Sequence, residues 1–566
     1  MDKQKMVIYQ LLPRLFGNKN TQLQLDGSRA DNGCGKFNDI TTKALEGIKQ
    51  LSATHVWYTG VIEHALLQGY PKAGIKDGNP LVIKGRAGSP YAVKDYYDLN
   101  PDLAENVEER MLEFQKLVKR THLAGLKVII DFVPNHLARE YHSDSKPEGL
   151  DDFGAKDDVN SAFSPTNNYY YLPGDTLRLA DEIKRRFPDA AYEEENVRAT
   201  GNDRFTAHVG VDDWYETVKL NYGVDYLNGK VKHFSPMPDT WLKMRSVLMY
   251  WVDQGVDGFR CDMVEMVPVE FWEWVIPQVK EKHPELVFIA EVYNPVLYKV
   301  YIHQGKFDFL YDKVGLYDTL RDVICEKQSA RAITQCWQKL EGIDQYMLRF
   351  LENHDEQRIA SALFATNPMR AIPAMAVSAY LHQGPVMLYN GQEVGEDACG
   401  ASGYSGDDGR TSIFDYWAMP QHQQWMNDGA FDGLLLSESQ KQLRQAYVEL
   451  LQNCEQPAIR SGLFYDLMWA NEDNSMFDSN MVYAFLRYSA VQQLLVVCNF
   501  DANSQDVNVV LPPDALNVLH VPRPLRMIFC NLQTQVEKTI GTEELVSEGL
   551  SIPIQAFGYV VMAIEY

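Results

Sequence analysis

The chain has 566 residues, 45% of them hydrophobic and 23% charged, which is the composition of a folded protein too long for one simple core. Its net charge of −24 argues against nucleic acid or an anionic membrane as a partner and suits a neutral substrate. No run approaches the roughly 18 uninterrupted apolar residues of a membrane-spanning helix, and "MDKQKMVIYQLLPRLF" lacks the apolar stretch of a secretory leader.

In chain order, short apolar runs alternate with helix-patterned stretches. The runs are "MVIYQ", "THVWYT", "KVIIDFV", "VDGFRCD", "LVFIAEV", "FDFLYD", "MLRFLEN" and "PVMLYN". Most are separated by segments such as "TKALEGIKQL", "WLKMRSVLMYWVDQG", "EFWEWVIPQVKEKH" and "IPAMAVSAYLHQ". Apolar strands alternating with helices predict a parallel sheet, and eight such units predict a (β/α)8 TIM barrel. One polar stretch, 137–218, breaks the rhythm after the third strand and is too long for a bare loop. It reads as an inserted domain over the barrel mouth. After "SESQKQLRQAYVELLQN" the pattern turns to "MVYAFLRY", "QLLVVCNF", "DVNVVLP" and "GYVVMAIEY", an all-β domain expected to be a sandwich. The expected division is 1–136 and 219–458 for the barrel, 137–218 for the insertion and 459–566 for the β domain.

The eight cysteines form no CxxC pair and no Cys/His cluster with zinc spacing, so most read as buried free thiols. Reduced thiols and the missing leader point to the cytoplasm.

Barrel active sites lie at the carboxyl ends of the strands. Here those ends are polar. The third run ends in Asp131, Asn135 and His136, and the fourth in Arg260 and Asp262. The fifth ends in Glu291, and the seventh runs into Asn353, His354 and Asp355. In a strand, residues two apart share a face, so Arg260 and Asp262 lie side by side. A guanidinium beside an aspartate favours the charged carboxylate, as a nucleophile requires. Paired carboxylates suit glycoside cleavage: Asp262 would attack the anomeric carbon and Glu291 would protonate the leaving oxygen. Asp355 would be a third carboxylate, binding sugar hydroxyls and stabilising positive charge.

The motifs "DFVPNH", "GFRCDMV", "FIAEVYN" and "FLENHDEQR" resemble, in order, the four signature motifs of the α-amylase family, glycoside hydrolase family thirteen. "YQLLPRLF", "SPYAVKDYYDLNP" and "GPVMLYNGQE" resemble further barrel segments, so that the resemblance covers roughly residues 6–415. "IPIQAFGYVVMAIEY" resembles the end of the family's β-sandwich domain. The resemblance implies a retaining double displacement at an α-glucosidic bond of α-1,4-glucans or malto-oligosaccharides, with no cofactor needed for the chemistry. It assigns Asp262 as nucleophile, Glu291 as general acid/base and Asp355 as transition-state stabiliser. Arg260, His136 and His354 would hold the cleaved sugar, and Tyr91 would stack under it. Asn135 falls where many members place a ligand of a structural Ca²⁺, with Asp203, Asp212 and Asp213 as candidate partners; oxygen donors suit that ion.

Two departures stand out. Where many members read Lys-His after the nucleophile, this chain has Glu265 and Met266, and an anion cannot replace a lysine donor. "DGRTSIFDYW" is only loosely family-like, and its Arg410 reads more readily as a structural salt bridge than as a substrate contact. Alternatives to hydrolysis are a transglycosylase or glucosyl isomerase using the same intermediate, and a non-catalytic glycan-binding homologue.

Overall fold

The computed structural model describes residues 4–520 and 525–566. Residues 1–3, at the head of the stretch examined for a leader, and residues 521–524, inside the expected β domain, lie outside the described residues.

All eight expected runs form strands of one parallel sheet. They are β1 (Val7–Leu11), β2 (His55–Tyr58), β3 (Lys127–Phe132), β4 (Gly258–Cys261), β5 (Val287–Ala290), β6 (Phe309–Tyr311), β7 (Met347–Leu348) and β8 (Val386–Tyr389). The sheet order is β7-β6-β5-β4-β3-β2-β1-β8. A parallel bridge between Arg349 and Val386 joins the two ends and closes the barrel. Closure leaves no edge strand with unpaired backbone groups.

Strand periodicity and register fill the barrel in layers. Ile8, Trp57, Ile129, Ile289, Leu348 and Met387 form one apolar cluster. One pleat further along, Asp131 stands beside Arg260, which stands beside Ile289. Ile130, Phe132, Phe259, Cys261 and Phe288 have the opposite parity and pack into the larger core that includes the helices. Those helices include Thr42–Lys49, Arg110–Leu123, Asp239–Asp253, Val269–Lys282, Ile372–Tyr380 and Glu438–Gln452.

The polar stretch after β3 is anchored at both ends. His136–Ala138 pairs antiparallel with Thr217–Lys219. Its own small core contains Leu177, Leu179, Ile183, Val197 and Val209, and draws in Leu81 and Val82 from the loop after β2. The C-terminal part is all antiparallel strands, with three short helices between them among the described residues. Leu463–Asp466, Val482–Tyr488, Gln493–Asn499, Tyr559–Glu565, Arg526–Asn531 and Glu537–Gly541 form a six-stranded sheet in that order. Gln505–Val509 pairs with Leu550–Ile554 in a second, two-stranded sheet. The eight cysteines are all free; four are buried, three half-buried and Cys399 exposed. No helix among the described residues is long and apolar enough to cross a membrane.

Candidate active site

A cavity of about 240 Å³ opens at the carboxyl ends of the barrel strands and is lined by Tyr91, His136, Asp262, Glu291 and Asp355, among others. Arg260 lies beneath it, fully buried. Asp262 stands one residue beyond the end of β4, and the continuing backbone keeps it on Arg260's side. Arg260 Nη1 donates to Asp262 Oδ1 at 2.8 Å. Its Nη2 lies 2.6 Å from Glu291 Oε1, a charge contact outside hydrogen-bond alignment. Nη1 is also 3.8 Å from Asp131 Oδ1, and Nε donates to the Tyr311 hydroxyl at 3.1 Å. The rings of Trp57, Tyr91 and Tyr311 flank the guanidinium at 5.4–5.5 Å. One cation thus faces three carboxylates in a dry setting, where each charge interaction is strong.

Glu291 is held by two further donors. Its Oε1 accepts from the Tyr293 hydroxyl at 2.8 Å and its Oε2 from the Met263 backbone N–H at 2.8 Å. Met263 adopts φ 43°, in the left-handed region that costs a non-glycine residue about 1–3 kcal/mol, and this turn aims its N–H at the carboxylate. Asp262 Oδ2, by contrast, has no partner among the described residues. Burial and the Glu291 charge push the Asp262 carboxyl well above the usual carboxylate range, while Arg260 opposes them.

A hydrogen-bonded chain runs along the other side of the cavity. Gln10 Nε2 donates to His354 Nδ1 at 2.8 Å, which places the imidazole proton on Nε2. That nitrogen lies 2.5 Å from the Tyr91 hydroxyl and 3.2 Å from Asp355 Oδ2. The Tyr91 hydroxyl in turn donates to Asp131 Oδ1 at 3.2 Å, and its ring stacks on His354 at 5.2 Å. Burial, with Arg260 nearby, lowers the His354 pKa to about 3, so the ring is neutral. Burial, with Lys219 and Lys84 nearby, lowers that of His136 to about 3 as well. An Asx turn orients Asp355: Asn353 Oδ1 accepts the N–H groups of Asp355 and Glu356 at 2.8 and 3.0 Å.

The structure therefore brings Asp262, Glu291, Asp355, Tyr91, His136, Arg260 and His354 to one place. Asn135 is different. Its Oδ1 accepts from Lys219 Nζ at 2.7 Å, and that ammonium pairs with Asp203 Oδ1 at 2.6 Å and lies 5.0 Å from the Tyr226 ring. Asp213 accepts from Asn202 and Gly210 and faces Arg204, while Asp212 is exposed. A buried ammonium already occupies the approach to Asn135, and a second cation beside it would be repelled. These residues do not fit a calcium ion. The buried carboxylates Glu63, Asp95 and Asp98 lie together after β2, but Lys94, Arg110, Ser143 and Ser145 already partner them.

Arg410 donates from Nε to the Asp355 carbonyl at 2.7 Å and pairs with Asp408 at 2.9 Å, a bracing role that matches the structural reading. Glu265 accepts the Asn294 N–H at 3.1 Å. Sequence reasoning gave no role to Gln10, Trp57, Tyr293, Met263, Lys84, Trp214, Glu216 or Phe414. Gln10 carried a signal, a lone amide in an apolar strand, and Tyr293 lies two residues after Glu291. Trp214, Glu216 and Lys84 sit in irregular segments with no periodicity to mark them.

A closed (β/α)8 barrel with an insertion after β3, carboxylates at its mouth and an all-β C-terminal part is the architecture of barrel glycoside hydrolases. The family model "Alpha amylase, catalytic domain" matches residues 10–446, and the chain belongs to the α-amylase family. It is 24% identical over 423 residues to an α-amylase of Streptomyces lividans, covering 68% of this chain and 44% of that protein. It is 22% identical over 294 residues to an α-1,4-glucan:maltose-1-phosphate maltosyltransferase of Picrophilus torridus, covering 50% and 33%. The chain thus spans less than half the length of these two relatives. Among solved structures, a maltogenic α-amylase from Thermotoga neapolitana superposes with a TM-score of 0.60 at 20% identity, covering 100% of both chains. An α-amylase from Geobacillus thermoleovorans gives 0.62 at 17% identity, covering 99% of this chain and 98% of that one.

Proposed function

We propose that this chain is a retaining α-glucosidic hydrolase acting on α-1,4-glucans or malto-oligosaccharides. One observation carries the reading: a single buried guanidinium holds Asp262 and Glu291 side by side at the wall of the cavity, at 2.8 and 2.6 Å. Retaining enzymes need their two carboxyls closer than inverting ones, which leave room for a water.

The unpartnered Asp262 Oδ2 attacks the anomeric carbon. As the C1–Oδ2 bond forms, the C1–O glycosidic bond breaks and Glu291 gives its proton to the departing oxygen. Positive charge grows on the sugar ring, and Asp355 on the cavity wall stabilises it. Glu291, now a base, takes a proton from water; the water oxygen bonds to C1 as the C1–Oδ2 ester bond breaks. Two inversions give net retention. Tyr91 offers its ring to the sugar face, and the neutral His136 and His354 offer polar contacts to its hydroxyls. The maltosyltransferases among the relatives support a second reading in which a sugar hydroxyl replaces the water.

The test is maltoheptaose digestion followed by chromatography and anomeric NMR. The wild type should release α-anomeric products. Glu291→Gln should lose the roughly 10²–10⁴-fold that general acid–base catalysis contributes, and Asp262→Asn should lose at least as much. β-Anomeric products, or full activity in either variant, sink the retaining reading. Added glucose that appears in longer products identifies transfer. The reading also includes the division 1–136, 137–218, 219–458 and 459–566, and a cytoplasmic address, which the free cysteines support.

A further inference from the structure

The cavity lining includes Glu291, Tyr293 and Met263 and also Lys84, Trp214, Glu216, Ile413 and Phe414. In the sheet order, β5 carries Glu291, and β1 lies diametrically across the closed barrel with β2 and β8 beside it. The loops after β1, β2 and β8 therefore rise opposite the proton donor.

Those loops and the insertion are stitched together. Asp26, after β1, pairs with Arg86, after β2, at 3.2 Å and with Arg186 of the insertion at 3.1 Å. Arg14 donates to the carbonyls of Ala87 at 3.0 Å and Ile413 at 2.5 Å. The Ala87 N–H donates to the Phe414 carbonyl at 3.0 Å. Arg186 lies 5.3 Å over the Tyr404 ring, which ties the insertion to the loop after β8. Four separate segments thus form one continuous wall.

That wall presents a built polar site. Lys84 Nζ pairs with Glu216 Oε1 at 3.2 Å, and the residues are 8% and 3% exposed. Glu216 Oε2 is buried and has no hydrogen-bond partner among the described residues. A buried unpaired oxygen costs about 1–3 kcal/mol, so it gains from any donor that enters.

We propose that the Lys84–Glu216 pair recognises the free terminal sugar of a glucan, so that the enzyme acts from the non-reducing end. This rests on the hydrolase reading above and deepens it. The leaving group departs on the Glu291 side, so the wall faces the opposite edge of the cleaved unit, where a longer chain would continue. A terminal sugar has free hydroxyls there, which donate to Glu216 Oε2 and accept from Lys84 Nζ. A chain that continues has an ether oxygen instead, with no proton to donate, and its next ring meets Ile413 and Phe414. The cavity volume of about 240 Å³ agrees, because it falls below the roughly 300–1,000 Å³ of ordinary ligand pockets.

The experiment compares two p-nitrophenyl maltoheptaosides, one free and one whose terminal 4- and 6-hydroxyls are closed as an ethylidene acetal. The free substrate should be cut to one short product size from the earliest time points. The blocked substrate should be cut at least about 100-fold more slowly, as for sites that reject a ligand lacking the expected hydroxyl. Comparable rates on both overturn the inference and leave the hydrolase reading intact. No cleavage of either sinks that reading and the inference with it. Glu216→Gln keeps the shape and removes the charge; it should raise KM at least about 10-fold with kcat changed less, the signature of lost uniform binding. A wild-type KM in that variant overturns the role of this carboxylate.

Discussion

Asp131 accepts three hydrogen bonds, from Trp57 Nε1, the Gly60 N–H and the Tyr91 hydroxyl, each at 3.2 Å. Even so, burial raises its pKa from 3.8 to about 6, against the pull of Arg260. A carboxyl whose folded pKa is raised contributes stability that is present below the unfolded value and lost as pH rises through the folded one. Asp131 therefore costs stability at neutral pH, on the order of 3 kcal/mol for about two pKa units. In exchange, the carboxylate fixes the Tyr91 hydroxyl at the cavity. Asp131→Asn removes the titration. Its melting temperature relative to wild type should climb between pH 4 and pH 7, the window set by the two pKa values. A difference that stays flat with pH would show that Asp131 titrates normally.

At the scale of elements, the junction of β3 with the insertion depends on one internal cation. Lys219 is 1% exposed and joins Asn135, beyond the end of β3, to Asp203 in the insertion. His136, one residue on, lines the cavity, so the same contact positions a cavity-facing ring. Lys219→Ala leaves the half-buried Asp203 carboxylate and the buried Asn135 amide oxygen without this donor, and an unsatisfied buried group costs about 1–3 kcal/mol. Thermal unfolding should show this loss, with activity falling at temperatures where the variant is still folded. For the wild type, a chelator should leave the melting temperature unchanged, because the ammonium stands where a divalent ion would. A chelator-induced drop of several degrees would contradict that placement.

Two features govern the whole molecule. The C-terminal sheet docks on the barrel through Arg487, which is 1% exposed. It donates to the carbonyls of Ala458 at 3.2 Å, Leu381 at 3.0 Å, Ile459 at 3.2 Å and Gly462 at 2.8 Å. Arg487→Ala removes a donor from four buried carbonyls; Ala458 keeps the Gly462 N–H and Gly462 keeps Gln383 Nε2, so Leu381 and Ile459 bear the loss, and since each unsatisfied group costs about 1–3 kcal/mol, it should be at least about 2 kcal/mol. Calorimetry should show it, with the β part unfolding earlier than the barrel.

The second feature is a set of buried titratable groups that oppose one another. Burial lowers His55, His136 and His354 to about 3, and His64 and His422 to about 4. Their stabilising contribution is present above 6.5 and lost as pH falls through those values. Burial raises Glu63 and Glu396 to about 7, and Asp131 and Asp344 to about 6, so their contributions are lost as pH rises. Between pH 5 and pH 6 unfolding adds protons to these five histidines and removes them from these four carboxyls, so the carboxyls offset most but not all of the histidine effect. Glu194, which against its burial Arg198 and Arg139 hold at about 2, adds to the loss at low pH. Melting temperature should therefore decline steadily as pH falls from 6 to 4. A melting temperature that stays level over that range would refute this balance.

What was legible in the sequence follows from local backbone geometry. Each barrel strand is a short apolar run, and in a parallel barrel the residues just beyond such a run must stand at the carboxyl rim. That rule located Asp262, Glu291 and Asp355 one strand at a time. It was weaker in the C-terminal part. Arg526–Asn531, Glu537–Gly541 and Leu550–Ile554 mix exposed and buried positions, so their runs carry little apolar signal. Contacts between distant segments left no local trace at all. Lys219 and Asn135 are 84 positions apart, and nothing in the spacing of either shows that an ammonium fills the place expected for a metal ion. The same holds for Lys84 with Glu216, and for Arg487 with the carbonyls it holds. By itself the sequence determined the strands, their order and the polar residues at their ends, because these depend on neighbours along the chain. Only the tertiary structure decided which loops close the cavity and which charges meet inside it, because those pairings depend on how far the closed barrel brings remote segments together.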